Sequence, residues 1–252
     1  MIERTQIWSS GGGTQSAAIA ALIVQGHLRP DLAIIVDTER EQSTTWKYMD
    51  EVISPALATV GMTLHRVKKS EFATVDLYGG KDKTDLLLPV FTNQSGDVGK
   101  MPTFCSNEWK TRVMRRWATQ QGVTKANVWI GFSTDEMHRC KPATSDKWRD
   151  RYVLLERKLN RRECEQLVAQ MGWPKPPRSS CWNCPNHTQD EWIDIRDNKP
   201  ADWRKAVAFD KKIRERDPHA FLHADCVPLD EADLSEANGV LFNHCETGMC
   251  FV

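Results

Sequence analysis

Eight cysteines stand at positions 105, 140, 164, 181, 184, 226, 245 and 250 of a 252-residue chain, and their spacing is where chemistry first shows. Cys181-Trp182-Asn183-Cys184-Pro185 puts two thiols on one tight turn, the spacing that lets both bind a single metal or one iron of a cluster. A lone Cys-x-x-Cys also arises incidentally, but closed metal sites take four ligands, and this half of the chain has more sulfur to offer. Cys245 and Cys250, in His244-Cys245-Glu246-Thr247-Gly248-Met249-Cys250, make a second pair with a glycine between them for the turn. Cys105 comes just before a helix starting at Ser106, where the helix dipole favours the thiolate needed for ligation or attack. Cys164 falls on the apolar stripe of a helix and reads as core. Cys140 and Cys226 could stand near a site without ligating anything. Trp182, inside the Cys-x-x-Cys turn, suits a shield over a metal centre better than a base-stacking platform.

A second group of residues suits an anion. Ser10-Gly11-Gly12-Gly13-Thr14-Gln15-Ser16 lies between an apolar β-prone run and an apolar helix. A glycine turn there gathers unpaired N–H groups and the positive end of a helix dipole, with Thr14 and Ser16 as hydroxyl donors. The same glycines would serve a purely structural turn, and the sequence has neither the Lys-Ser/Thr of a P-loop nor the GxGxxG of a dinucleotide site. Asp37-Thr38 ends the second strand, where open α/β sheets bind ligands, although Asp is also a common turn residue. Lys110, Arg112, Arg115 and Arg116 follow Cys105 on one helix, either as a solvated face or as a phosphate clamp beside the glycine turn. Arg139, a planar fork suited to phosphate or sulfate, follows the strand end at Phe132-Ser133-Thr134-Asp135-Glu136.

The elements that must position these residues follow from periodicity. Thr5 to Ser9 reads as a strand, Gln15 to Gln25 as a helix apolar nearly all round and closed by Gly26, and Leu32 to Val36 as a second strand. A helix with no polar face between two such strands has to be sandwiched, which a parallel βαβ crossover achieves. Trp46, Met49, Ile53 and Leu57 then recur at helical spacing, followed by a strand at 64–67. Residues 68–101 read as a long excursion over the sheet edge. A helix over 106–121 and a strand over 128–132 complete a doubly wound, mainly parallel α/β domain over residues 1–150. From 151 the texture becomes helical and cysteine-rich. Asn160/Glu163 and Thr188/Glu191 form capping boxes, and helices are expected near 188–196 and 200–215. Residues 151–252 are therefore expected to form a helical C-terminal subdomain carrying the metal cysteines.

Composition narrows the class further. The chain has 34 basic and 34 acidic residues, no net charge, and 40% hydrophobic residues, which excludes disordered, collagen-like and coiled-coil classes. Its N-terminus has no apolar signal core and its longest apolar stretch, AAIAALIV, is far too short to cross a bilayer, so a soluble, cytoplasmic protein without a membrane partner is expected. In a reducing compartment clustered cysteines point to metal or redox chemistry, not disulfides.

Asp37-Thr38-Glu39-Arg40-Glu41-Gln42-Ser43-Thr44-Thr45-Trp46-Lys47-Tyr48-Met49-Asp50 resembles, without a gap, the Asp-Thr-Gly…Glu-Thr…Asp stretch of phosphoadenosine phosphosulfate (PAPS) reductases. The glycine turn resembles the Ser-Gly-Gly-x-Asp-Ser loop of their superfamily, the PP-loop ATP pyrophosphatases. Gly11 stands for its first Ser and Gln15 for its Asp, a carboxylate bearing on magnesium-bound triphosphate. Cys105 to Lys110 resembles the reductases' cysteine-containing helix start, with Ser106 in place of a second Cys. Gly131 to Arg139 resembles their Gly-x-Arg-x-Glu-Ser-x-x-Arg turn.

The resemblance implies a Rossmann-like PP-loop fold that binds an adenine nucleotide, either ATP or an adenylyl sulfate. The residues it places around the nucleotide are Ser10 to Ser16, Asp37, Thr38, Lys110, Arg112 and Arg139, with magnesium as a companion of ATP. It further implies a four-iron four-sulfur cluster, or zinc in its stead, on Cys105, Cys181, Cys184 and a tail cysteine, Cys250 or alternatively Cys245. Two chemistries lie within it. In one, a tail cysteine, Cys245, attacks the sulfur of an adenylyl sulfate. In the other, ATP activates a nucleic acid for thiolation or phosphorothioation, with a sulfur-donor or reductant protein as partner. A different class, a zinc-stapled nucleic-acid-binding module, is also compatible with these cysteines and the basic helix.

Overall fold

The computed structural model describes residues 3–142 and 145–235, so Cys245 and Cys250 lie outside the described residues. The described residues fall into two compact units, one within 1–73 and 109–179, the other within 74–108 and 180–252.

The first unit is built on a five-stranded sheet. β1 (Thr5–Ser10) lies at its centre, flanked on one side by β2 (Leu32–Asp37) and then β3 (Leu64–Lys68), on the other by Ala126–Trp129 and then Trp148–Arg151. Every neighbouring pair is parallel, with Ile7 opposite Leu32 on one side and Val128 on the other. Side chains alternate between two faces. Trp8, Ala33, Ile35 and Trp129 enter one apolar cluster, and Ile7, Ile34, Val36, Val67 and Val128 enter the other. Because both faces are covered, β2 reads as a continuous apolar run from Leu32 to Val36, as buried parallel strands do.

Helices cover both faces. The first carries α1 (Thr14–Val24), whose residues from Ser16 to Ile23 are all buried, and a long helical stretch made of α2 (Ser43–Tyr48), a π-turn over Met49–Ile53 and α3 (Ser54–Ala58). Met49, Ile53 and Leu57 point into the same cluster as α1, as their spacing predicts. The second face is covered by α4 (Lys69–Phe72) and α5 (Arg112–Gln120), through Phe72, Val113, Met114 and Trp117. α6 (Val153–Glu156) and α7 (Arg161–Gln170) return to the first face, where Cys164 and Val168 join the cluster of α1.

A single boundary near residue 150 does not describe these units. α7 belongs with the α/β unit because its apolar stripe packs on α1, and residues 74–108 belong with the C-terminal segment. Periodicity does not reveal the strand Trp148–Arg151. It is an edge strand whose Trp148 alone is fully buried, so it reads as a charged segment.

In the second unit, short strands pair antiparallel: Tyr78–Gly79 with Asp85–Leu86, and Phe91–Thr92 with both Gly99–Lys100 and Ala220–Phe221. The expected excursion over residues 68–101 thus contains sheet of its own. α8 (Gln189–Asn198) starts at the Thr188/Glu191 capping box, and α9 (Pro200–Arg216) begins with its proline in the first turn. Asp210, buried on α9, accepts the N–H groups of Leu222 (2.9 Å) and Leu229 (3.0 Å) and pairs with Arg214, which pins the chain returning after the helix. Among the described residues no helix is long and apolar enough to cross a membrane.

Burial pushes the Cys164 thiol up to about 12. Iodoacetamide at mildly alkaline pH is therefore expected to leave Cys164 unmodified in the native protein and to alkylate it once the chain is unfolded. Mass-spectrometric detection of native labelling there would contradict its place under α1.

Candidate functional site

The chain runs outward from β1 to β2 and β3, and in the opposite direction from Ala126–Trp129 to Trp148–Arg151. The carboxyl ends of β1 and Ala126–Trp129 therefore flank the topological switch of the sheet, where open α/β sheets form a ligand crevice. The glycine turn leaves from one of these ends and the segment from Gly131 to Arg139 from the other.

The glycine turn ends at Gly13, the N-cap of α1. No side chain caps the helix there, and its first turn contains no acidic residue. The first N–H groups of a helix have no intrahelical partner, so this positive end stays open to an anion. The turn is held from within: the Ser16 hydroxyl accepts the Gly11 N–H (2.8 Å), and the Ser10 hydroxyl accepts that of Gly12 (3.3 Å). Gly12 has a φ of +79°, and a Cβ there would stand 2.8 Å from Thr45 Cγ2 and 3.2 Å from Ser179 Oγ. Glycine is thus required at that position twice, by backbone conformation and by space.

The contact with Ser179 is one the sequence did not point to. Its buried hydroxyl bonds to the Gly11 carbonyl and to Glu41 Oε1 (2.7 Å). The other oxygen of Glu41 lies 3.8 Å from Lys110 Nζ. Segments around residues 11, 41, 110 and 179 are thereby tied into one polar cluster. Glu41 lies within the stretch that carries the resemblance, but nothing in the neighbourhood of Ser179 marks it out. Lys110 itself sits on a π-turn over Asn107–Thr111, which buries Trp109 and leaves the next residue to reach Glu41.

On the other side of the switch, Gly131 allows close approach to α1: a Cβ there would lie 3.4 Å from that of Gln15. Gln15 donates to Glu136 Oε2 (2.9 Å), and Glu136 Oε1 pairs with Arg139, whose guanidinium lies 4.2 Å over the Phe132 ring. Arg139 is thus connected to the glycine turn through one carboxylate.

Asp37 stands at the carboxyl end of β2, 5% exposed. Its Oδ1 accepts the Glu39 N–H (2.7 Å) and its Oδ2 accepts Arg66 Nε (2.9 Å) and Nη2 (2.8 Å). Arg66 lies 3.4 Å over Trp46, so Asp37 shapes this loop and fixes a cation. Thr38 is buried, and its hydroxyl accepts the Arg40 N–H (3.4 Å). Of the basic helix, Lys110 reaches Glu41 in the cluster around the turn. Arg112 is exposed, Arg115 lies 5.9 Å from Trp148, and Arg116 donates to the Phe72 carbonyl.

No family model matches the chain, and no curated protein matches it. A solved structure does. The phosphate complex of phosphoadenylyl-sulfate (PAPS) reductase from Candida auris is similar over 72% of this chain and 83% of that one, with 13% sequence identity and a TM-score of 0.45.

The cysteines of the second unit form no complete ligand set among the described residues, where no three His, Cys, Asp or Glu side chains come together as a metal site. The Cys181–Cys184 turn is nevertheless well ordered by hydrogen bonds. The Cys184 N–H donates to the Cys181 carbonyl (3.0 Å), and the same carbonyl accepts from His187 Nε2 (2.9 Å). His187 packs edge-on against Trp192, with ring centroids 4.6 Å apart. Both cysteines are half-buried, as is Cys105, whose N–H donates to the Leu87 carbonyl (2.9 Å). Trp182 is half-buried against Phe209. Burial pushes the Cys140 and Cys226 thiols up.

Two substitutions test the turn. Gly12→Ala is expected to cost about 1–3 kcal/mol of stability through backbone strain and contact with Thr45. Ser179→Ala, which removes the one hydroxyl proton that the Gly11 carbonyl and Glu41 Oε1 share, is expected to cost about 1–3 kcal/mol. Urea denaturation of each variant measures both, and wild-type midpoints would refute the contacts described.

Proposed function

We propose that this chain is an adenine-nucleotide-dependent enzyme of sulfur transfer or redox chemistry, similar to PAPS reductases, with a nucleotide site at the glycine turn and an iron–sulfur cluster held by cysteines. The observation that carries the nucleotide half is the uncapped, acid-free start of α1 behind a glycine that has no room for a side chain. Those N–H groups suit a phosphate, with Lys110 and Arg139 held nearby by Glu41 and Glu136.

The donor set bears on the kind of nucleotide. Three carboxylates, Asp37, Glu41 and Glu136, lie around the crevice, and each is engaged by this chain's own groups: Arg66, Ser179 with Lys110, and Gln15 with Arg139. Gln15 adds an amide where the PP-loop has a carboxylate. This set fits an anion neutralised by side chains and helix N–H groups, and it does not fit magnesium. An adenylyl sulfate-type nucleotide therefore suits the site better than a magnesium-bound triphosphate.

In the cluster half of this reading, Cys105, Cys181, Cys184 and Cys250, or Cys245 in its place, are the ligands. When bound, such a cluster supplies redox or sulfur chemistry. This chain's own contribution there is the Cys181–Cys184 turn, fixed by the His187 bond to its first carbonyl. Cys245, where Cys250 is the ligand, is the tail thiol for attack on the sulfur of an adenylyl sulfate, forming an S-sulfocysteine as the S–O bond breaks and the adenine nucleotide leaves.

Calorimetry with adenylyl sulfate is expected to show binding that EDTA does not weaken, and binding that appears only with magnesium would overturn the reading of the donor set. Anaerobically purified protein is expected to be coloured and to contain iron and sulfide, with Cys181→Ala and Cys184→Ala each losing the metal and Cys164→Ala keeping it. A colourless zinc protein that binds no adenine nucleotide would overturn the enzyme reading.

A further inference from the structure

One guanidinium of the first unit is held on an edge and on a face at once. Arg66, on the edge strand β3, donates from Nε (2.9 Å) and Nη2 (2.8 Å) to Oδ2 of Asp37, whose other oxygen accepts the Glu39 N–H. Its central carbon lies 3.4 Å over the Trp46 ring. The anchor is buried, yet 43% of the Arg66 side chain stays open to solvent. A surface ion pair gains little because two long side chains must be fixed in one geometry. At Arg66 a buried carboxylate and an indole do that fixing within the fold.

What this residue presents to a ligand is a held plane, and guanidinium planes and aromatic rings are the surfaces on which nucleobases stack. The sheet puts that plane in line with the glycine turn. Ser10, Ile35 and Arg66 form one row across β1, β2 and β3, and Ile35 Cδ1 is 3.5 Å from the point that a Cβ of Gly12 would occupy. Neighbouring strands lie about 4.8 Å apart, so the row carries Arg66 about 10 Å from the end of β1. That interval suits a nucleoside whose 5′-phosphate is seated at the start of α1 and whose ribose crosses the end of β2.

We infer that Arg66, backed by Trp46 and held by Asp37, is the platform on which the base of a nucleotide stacks while its phosphate occupies the glycine turn. The inference rests on the reading of that turn as a nucleotide seat. Stacking is tolerant of base identity, so this contact reads the presence of a base and leaves the choice of adenine to other groups.

The test is a calorimetric titration of the full chain with AMP and with ribose 5-phosphate, which share the phosphate and the sugar and differ in the base, on wild type, Arg66→Ala and Arg66→Lys. Wild type is expected to bind AMP the more tightly, and both variants to lose about tenfold of that preference. Arg66→Lys keeps a cation for Asp37, in case alanine disturbs the loop, but has no plane. Comparing the two compounds within each variant cancels any effect of the lost charge on the phosphate. Equal binding of both by wild type, an unchanged preference in Arg66→Ala, or a full preference in Arg66→Lys would overturn the platform and leave the phosphate seat standing. A wild type that binds neither compound would overturn the nucleotide reading itself, and the platform with it.

Discussion

The first unit depends on a helix that has no face to give to water. From Ser16 to Ile23 every residue of α1 is buried, between the sheet and α7. Such a helix can neither rotate nor slide without exposing alanine and isoleucine surface, so its start is fixed at the carboxyl edge of the sheet. The parallel crossover to β2 then dictates that the glycine turn lies at the end of β1, beside the switch in strand direction. Position and polarity of the anion seat follow from this packing before any polar residue is considered.

The polar residues complete what the packing begins. Gly11, Glu41, Lys110 and Ser179 come from four separated parts of the chain, yet they meet in one small cluster. A buried hydroxyl that bonds both a turn carbonyl and a carboxylate leaves little freedom to either, so the turn is held from outside by Ser179 as well as from within by Ser10 and Ser16. Gly12 is the complement of that arrangement, because the side chains that hold the turn occupy the space a Cβ would need. The turn's shape is thus a property of the assembled unit more than of its three glycines.

This explains which features were legible in the sequence. The central strands, α1 and the helix containing Met49, Ile53 and Leu57 announce themselves because burial on two faces or on one stripe imposes a pattern over many residues. The two capping boxes, Asn160/Glu163 and Thr188/Glu191, are legible because both partners lie within one turn of helix. The edge strand Trp148–Arg151 is not, since an edge position leaves its charged residues in place and removes the apolar signature. The grouping of residues 74–108 with the C-terminal segment is not legible either, because it depends on pairings such as Phe91 with Phe221 across more than half the chain. Ser179 belongs with these: a serine in a proline-rich loop acquires its role only through residues far away in sequence.

The carboxylates of the crevice sharpen the meaning of a chain with no net charge. Asp37, at the strand end where a ligand contact is expected from sequence, spends both oxygens on Arg66 and the Glu39 N–H. Glu136 spends its own on Gln15 and Arg139. In a crevice of low dielectric, a lone cation or a lone carboxylate would be costly, and pairing lowers that cost while holding the cation in one place. The acids are therefore not competitors for an incoming anion: by fixing Arg66 and Arg139, and by drawing Lys110 toward Glu41, they give the positive groups a defined geometry. What remains uncompensated at the centre is the start of α1, whose charge comes from backbone dipoles and appears in no count of residues.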